Sequence, residues 1–158
     1  MARPQPWSID RLGSHQIAGM RELLRLFGDA FEERDTYCGN QPEDTYLAGL
    51  LAREEFIALV CRSDSGEMTG GLCAYTLPKF EQARSEIYIY DLAVAEPFRR
   101  RGIASALIRS LGELAENIGA HAVFVQADLG DDEAIALYGR HGPRENVCHF
   151  DVWTRPQP

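Results

Sequence analysis

Glu86-Ile87-Tyr88-Ile89-Tyr90-Asp91-Leu92-Ala93-Val94 and, a short way on, Arg99-Arg100-Arg101-Gly102-Ile103-Ala104 decide the reading of this chain. The first stretch, rich in Ile, Tyr and Val, predicts a strand. The second opens a helix whose Ile103, Leu107, Leu111, Leu114 and Ile118 recur on one face and which ends near Gly119. Three cations and a glycine therefore fall where backbone N–H groups emerge unpaired from a helix start, a built place for a polyphosphate. The spacing Arg-x-x-Gly-x-Ala lacks the lysine and hydroxyl with which a GxxxxGK[ST] loop manages terminal phosphates and Mg²⁺. A metal-bound nucleotide is thus not indicated, and the alternative is a basic turn with no ligand.

Working outward, Trp7 to Ile9 predicts a short first strand, and Ile17, Met20, Leu23, Leu24, Phe27 and Phe31 an amphipathic helix. Asn40, Pro42, Glu43 and Asp44 carry the signals of a helix start ahead of Tyr46, Leu47, Leu50 and Leu51. Phe56 to Cys61, a turn at Ser63 to Gly66, and Gly70 to Leu77 predict a hairpin, followed by a polar loop from Pro78 to Ser85. After the long helix come a strand at His121 to Ala127 and a helix opened by Asp131, Asp132 and Glu133 and stopped by Gly142-Pro143. Val147 to Trp153 is expected to close the sheet. This order implies a mixed α/β fold, a central mixed sheet with helices on both faces, in a single domain over residues 1–158.

The chain has 158 residues, enough for one core, and a net charge of −8. That charge argues against nucleic acid as a partner and suits a cationic one. Cys38, Cys61, Cys73 and Cys148 have no metal-ligand or disulfide spacing, so neither a zinc site nor a disulfide framework is expected. No apolar run approaches the ~20 residues of a membrane span, and residues 1–6 lack a signal peptide's apolar region. The expected setting is cytoplasmic, with no membrane partner; a homodimer is compatible with the sequence.

The strand, the Arg-x-x-Gly-x-Ala turn and the amphipathic helix resemble the acetyl-CoA site of the GCN5-related N-acetyltransferases, and the element order resembles that fold along nearly the whole chain. Leu77 to Gln82, Ser85 to Val94, Val125 to Asp128, and His149-Phe150-Asp151 look like the type I aminoglycoside 3-N-acetyltransferases. The resemblance implies acetyl transfer from acetyl-CoA to the 3-amino group of 2-deoxystreptamine drugs such as gentamicin, sisomicin and fortimicin, and so antibiotic resistance. It also implies that Arg99 to Ser105 hold the pyrophosphate of CoA, that a bulge frees backbone groups at Leu92, Ala93 and Val94 for the thioester and pantetheine, and that Tyr138 protonates the departing thiolate. An acceptor that is a polyamine, a small metabolite or a protein amine would share these cofactor features. So would a non-catalytic acyl-CoA-binding module, which has no need of Asp91 or Tyr138.

An amine at neutral pH is mostly ammonium, so its proton must be taken up. Asp91 is the first candidate: strand alternation predicts that it shares a face with Ile87, Ile89 and Ala93, where a carboxylate is costly unless it meets a cation. Its structural alternative is a buried ion pair with an arginine. Glu86 is second, and a water chain ending on either is a third. For the acceptor, acids cluster at Asp29, Glu32, Glu33 and Asp35 and again at Asp128, Asp131, Asp132 and Glu133. Either cluster is equally well a solvated face. Tyr37, Tyr88 and Tyr90 offer apolar and hydrogen-bonding contact to sugar rings, and Asp151 belongs to a segment carrying the resemblance.

Overall fold

The computed structural model describes residues 6–153. The chain divides after Gln126 into two compact units. The first holds a five-stranded sheet in the order β1 (Trp7–Arg11), β2 (Phe56–Ser63), β3 (Met68–Pro78), β4 (Ser85–Val94), β5 (Ala120–Val125). The first four strands are antiparallel; residues 12–55, which hold three helices, join β1 to β2, and Gly66, at φ 85°, makes the tight β2–β3 turn. β5 runs parallel to β4, which requires a crossover. Helix α4 (Ile103–Asn117) supplies it.

Two cores flank the sheet. On one face α1 (Ile17–Ala30) and α3 (Asp44–Leu51) bury Leu23, Phe27, Leu47 and Leu51 against Ala58, Val60, Cys73 and Ala93. On the other, Ile103, Leu107, Leu111 and Ala115 of α4 pack on Ile57, Leu59, Leu72, Ala74, Ile87 and Ile89. Covered on both sides, β2 and β3 read as nearly continuous apolar runs. Leu107 and Leu111 are fully buried, so truncating either to Ala should cost ~2–5 kcal/mol. Gly71 lets α1 approach: a Cβ there would lie 2.5 Å from Leu23 Cδ1 and 2.8 Å from the Leu59 carbonyl.

Between α1 and α3 the chain makes a helix that periodicity did not reveal, α2 (Arg34–Cys38). Five residues are too few to display a period. Gly28 makes room for it, since a Cβ there would crowd Cys38 Sγ at 3.1 Å and Tyr37 Cβ at 3.3 Å.

β4 departs from regular alternation. Ile89 opposes Ala74 and Asp91 opposes Cys73, so Tyr90 is an extra residue, a β-bulge. Ile87 and Ile89 face the α4 core, whereas Ala93 and the partner of Asp91, Cys73, belong to the α1 core. The expectation that Asp91 shares a face with Ile87 and Ile89 is therefore corrected: the bulge reverses the phase of the strand between them.

The second unit contains α5 (Asp132–Tyr138), whose first turn is capped by Asp131, with Oδ1 accepting from the Ala134 N–H at 3.0 Å. Residues 147–153 form no strand, against expectation. Val147, Phe150, Val152 and Trp153 are exposed. Alternation describes what a strand would present, but the strand exists only when a neighbouring ladder pairs with it.

Candidate active site

Past the 3₁₀ turn Glu96–Phe98, Arg100 (φ 61°) and Gly102 (φ 84°) both take left-handed backbone. Such alternation turns successive amides toward one point. Glycine at 102 carries no penalty for that φ, and a Cβ there would meet nothing within 4 Å, so the space above it is open. The first i→i−4 bond of α4 runs from the Ala106 N–H to the Gly102 carbonyl at 3.0 Å, and no side chain caps the helix. The amides of Ile103 and Ala104 precede that bond, at the positive end of a 15-residue helix. Arg99, Arg100 and Arg101 are exposed beside it. Cations at a helix N-terminus are unfavourable unless an anion joins them, and these residues fit the pyrophosphate of CoA. Arg99 Nε donates to the Val94 carbonyl at 3.2 Å, and the Arg101 guanidinium lies 5.3 Å from the Phe98 ring centroid.

The ladder between β4 and β5 stops at Ile89–Val125, while β4 continues to Val94. Among the described residues no strand pairs with that side of β4 from Tyr90 onward, so alternate backbone N–H and C=O groups there have no ladder partner.

Asp91 lies at the bulge. It is half-buried, and Tyr37 on α2 donates its hydroxyl to Asp91 Oδ2 at 3.1 Å. Among the described residues no cation lies within ion-pair distance of Asp91, so the arginine partner considered from sequence is not there. Burial pushes its carboxyl above the usual aspartate value, the Tyr37 hydrogen bond draws it down in part, and the nearby Glu33 charge adds to the rise. The Tyr37 phenol is pushed up by burial and by the Asp91 charge, as is the buried Cys73 thiol opposite. Tyr37 is seated by rings, edge-on to Phe27 at 5.9 Å and tilted against Phe31 at 5.7 Å.

The other carboxylate, Glu86, accepts from Lys79 Nζ at 3.3 Å, and Lys79 also holds Glu81 at 3.1 Å. Around Asp91 an aromatic row extends along the sheet. Tyr90 meets Tyr75 edge-on at 5.9 Å and Tyr88 at 5.7 Å, and Tyr88 stacks on Phe124 at 4.9 Å. The Tyr88 hydroxyl donates to Gln126 Oε1 at 2.9 Å. Tyr75, Phe124 and Gln126 were not singled out from sequence. Phe124 had a signal: Val123 and Val125 point into the α4 core, so a large ring between them sits on the opposite, outward row.

The acids at the end of α1 line a shallow open concavity with Gly28 and Thr36. Asp29 is ion-paired with Arg34, Glu32 has left-handed backbone (φ 58°), and Glu33 and Asp35 are exposed. In the second unit Asp131 serves α5 as its cap, the Asp128 carbonyl accepts from the Asp131 N–H at 3.2 Å, and Asp151 pairs with His149 at 3.1 Å. Tyr138 ends α5, its carbonyl accepting from the His141 and Gly142 N–H groups.

The start of α4 is uncapped and flanked by arginines, and β4 is bulged and runs on past its parallel partner β5. The chain belongs to the acetyltransferase (GNAT) family, whose model matches residues 20–142; members of that family use acetyl-CoA. Among solved structures it is similar to the aminoglycoside acetyltransferase HMB0005 from an uncultured soil metagenomic sample, at 50% identity and TM-score 0.93 over 96% of this chain and 100% of that one. It is also similar to the aminoglycoside acetyltransferase meta-AAC0020, likewise from soil and crystallised with sisomicin. There the identity is 31% and the TM-score 0.88, over 95% of this chain and 97% of that one. A curated relative, GCN5-related N-acetyltransferase 4, chloroplastic, of Arabidopsis thaliana, is 35% identical over 98 residues, covering 59% of this chain but only 34% of that protein. The chain thus spans about a third of that relative's length. Among the described residues no helix is long and apolar enough to cross a membrane.

Proposed function

We propose that this protein is an aminoglycoside 3-N-acetyltransferase: it moves the acetyl group of acetyl-CoA to the 3-amino group of a 2-deoxystreptamine drug of the gentamicin, sisomicin or fortimicin type, and so confers resistance. The observation that carries the reading is Asp91, a half-buried carboxylate on an aromatic-lined face that has no cation partner among the described residues, on a strand that runs on past its parallel neighbour. A polycationic acceptor supplies the missing positive charge, and the likeness to two aminoglycoside acetyltransferases supports the choice of acceptor.

Arg99, Arg100, Arg101 and the amides of Gly102, Ile103 and Ala104 bind the pyrophosphate, and Ser105 lies in the same first turn. The backbone of Leu92 and Ala93 pairs with the pantetheine and meets the negative charge that develops on the thioester oxygen. Val94 serves the same edge chiefly by holding Arg99. Asp91 draws in the ammonium and accepts its proton, directly or through one water; the free amine then bonds to the carbonyl carbon as the carbon–sulfur bond breaks, and the second proton shed by the nitrogen as the amide forms passes to water. Tyr138 donates a proton to the leaving thiolate, a role that rests on the family resemblance. Glu33 and Asp35 attract the remaining ammonium groups, and Tyr88 and Tyr90 pack against the sugar rings. The reaction occupies one catalytic domain over residues 1–158.

The test is turnover of acetyl-CoA with gentamicin against spermidine, followed by NMR mapping of the product. Acetylation of gentamicin at the 3-amino nitrogen is expected. Another nitrogen, a hydroxyl, or a preference for spermidine overturns the assignment while leaving the family intact.

A further inference from the structure

Resting on the reading of Asp91 above, we propose that Tyr37 is the positioning residue of the transfer: its hydroxyl holds Asp91 Oδ2 and so leaves Oδ1 aimed at the acceptor's ammonium. Tyr37 is not, in this view, a contact for sugar rings, because its polar end is already engaged within the protein.

A carboxylate on a β-strand can turn about its side-chain torsions, and without a partner its two oxygens exchange. Tyr37 removes that freedom with a bond of 3.1 Å from a ring that is itself fixed between Phe27 and Phe31. The seat is built from the backbone up. Gly28 brings α2 close to α1, and the close contacts a Cβ would make there are with Tyr37, Cys38 and Arg34. The bulge at Tyr90 turns Asp91 toward this side of the sheet. Two independent local irregularities, one in each element, meet in one hydrogen bond across 54 residues of sequence. The titratable groups facing Asp91 are Tyr37 and Glu33 from the α2 side, Cys73 and Tyr75 on β3, and Tyr88 and Tyr90 on β4. Tyr37 donates a hydrogen bond to it, which favours the ionised form.

Tyr37→Phe keeps the ring and its packing and deletes the donor. The kinetic arm uses whichever of gentamicin or spermidine is turned over, and compares kcat, KM and the pH profile of kcat/KM for wild type, Tyr37→Phe and Asp91→Asn. In Tyr37→Phe, kcat should fall roughly tenfold with little change in acceptor KM, and the acid limb should move up by roughly half to one pH unit. The limb should vanish in Asp91→Asn. A second arm needs no acceptor: the Asp91 carboxyl ¹³C resonance, titrated in the free protein, should shift its midpoint upward in Tyr37→Phe. If Asp91→Asn loses turnover while Tyr37→Phe keeps wild-type kcat, limb and midpoint, this inference fails alone. If Asp91→Asn retains turnover, or neither acceptor is acetylated, the reading of Asp91 fails and this inference with it.

Discussion

Ile89 and Asp91 are two residues apart on one strand, yet they serve opposite sides of the sheet, because the extra residue Tyr90 stands between them in the ladder with β3. Ile89 is buried under α4. Asp91 opposes Cys73 and takes the Tyr37 hydrogen bond. One inserted residue thus turns a strand whose Ile87 and Ile89 are core under α4 into one that sets a carboxylate on the opposite side of the sheet.

Asp91→Asn tests what that carboxylate does. Removing charge and proton affinity should lower kcat/KM for the acceptor by about 10² or more, with acetyl-CoA affinity hardly changed. Stability should respond in the other direction. The folded protein holds the Asp91 proton more tightly than the unfolded chain, whose ordinary value is 3.8. Its contribution to stability is therefore fullest below that value and is lost as pH rises through the raised one. Near neutral pH the variant should melt no lower than wild type, and the comparison should turn against the variant in acid. A large loss of stability near neutrality would reveal a cation partner that the structure does not contain.

Gly102→Asp and Gly102→Ala separate charge from backbone at the phosphate turn. Both meet the strain of a left-handed φ, roughly 1 kcal/mol, in open space. Only Asp places an anion at the proposed pyrophosphate site. Calorimetric titration should show acetyl-CoA binding lost in the Asp variant and retained in the Ala variant. Equal binding by both would move the phosphates elsewhere.

Gly71→Ala probes the close approach of α1 to the sheet. The added methyl lands 2.5 Å from Leu23 Cδ1 and 2.8 Å from the Leu59 carbonyl oxygen, so the Leu23 side chain must move and the β2 backbone must give. A loss of roughly 1–3 kcal/mol is expected, read as a fall of several degrees in melting temperature. An unchanged melting temperature would mean that Leu23 and β2 absorb the methyl without strain.

Periodicity carried the long elements. The apolar stripe from Ile103 to Ile118 specifies α4, and the run from Phe56 to Cys61 specifies a covered strand, because burial selects the residue at each position. What sequence did not carry are features set by tertiary partners. Gly28 gives α2 its room; the bulge, which only the family resemblance implied and then nearer Leu92 to Val94, falls at Tyr90 where β3 and β4 pair out of step; and Tyr37 finds Asp91 only after both. Residues 147–153 show the converse, a strand-like pattern with no strand. The basic turn and the helix start after it were legible because their residues are contiguous. The engagement of Asp29 by Arg34 and of Asp131 by the start of α5 was not, because a run of acids looks the same in sequence whether or not its members have partners.

Glu86→Gln discriminates between the two carboxylates offered as proton acceptor. Glu86 faces Leu77 across the ladder, and Lys79 reaches it at 3.3 Å while also holding Glu81. Glu86 is already occupied by an ammonium partner, whereas Asp91 has none among the described residues and its burial raises its proton affinity toward the task. Replacing Glu86 by Gln keeps the shape, leaves an exposed Lys79–Glu81 pair, and should change kcat/KM by less than about threefold, in line with the small worth of surface pairs. The acid limb of the pH profile should stay where it is in wild type. If the limb disappears in Glu86→Gln and survives in Asp91→Asn, the proton goes to Glu86, and Asp91 is left with the task of holding Tyr37.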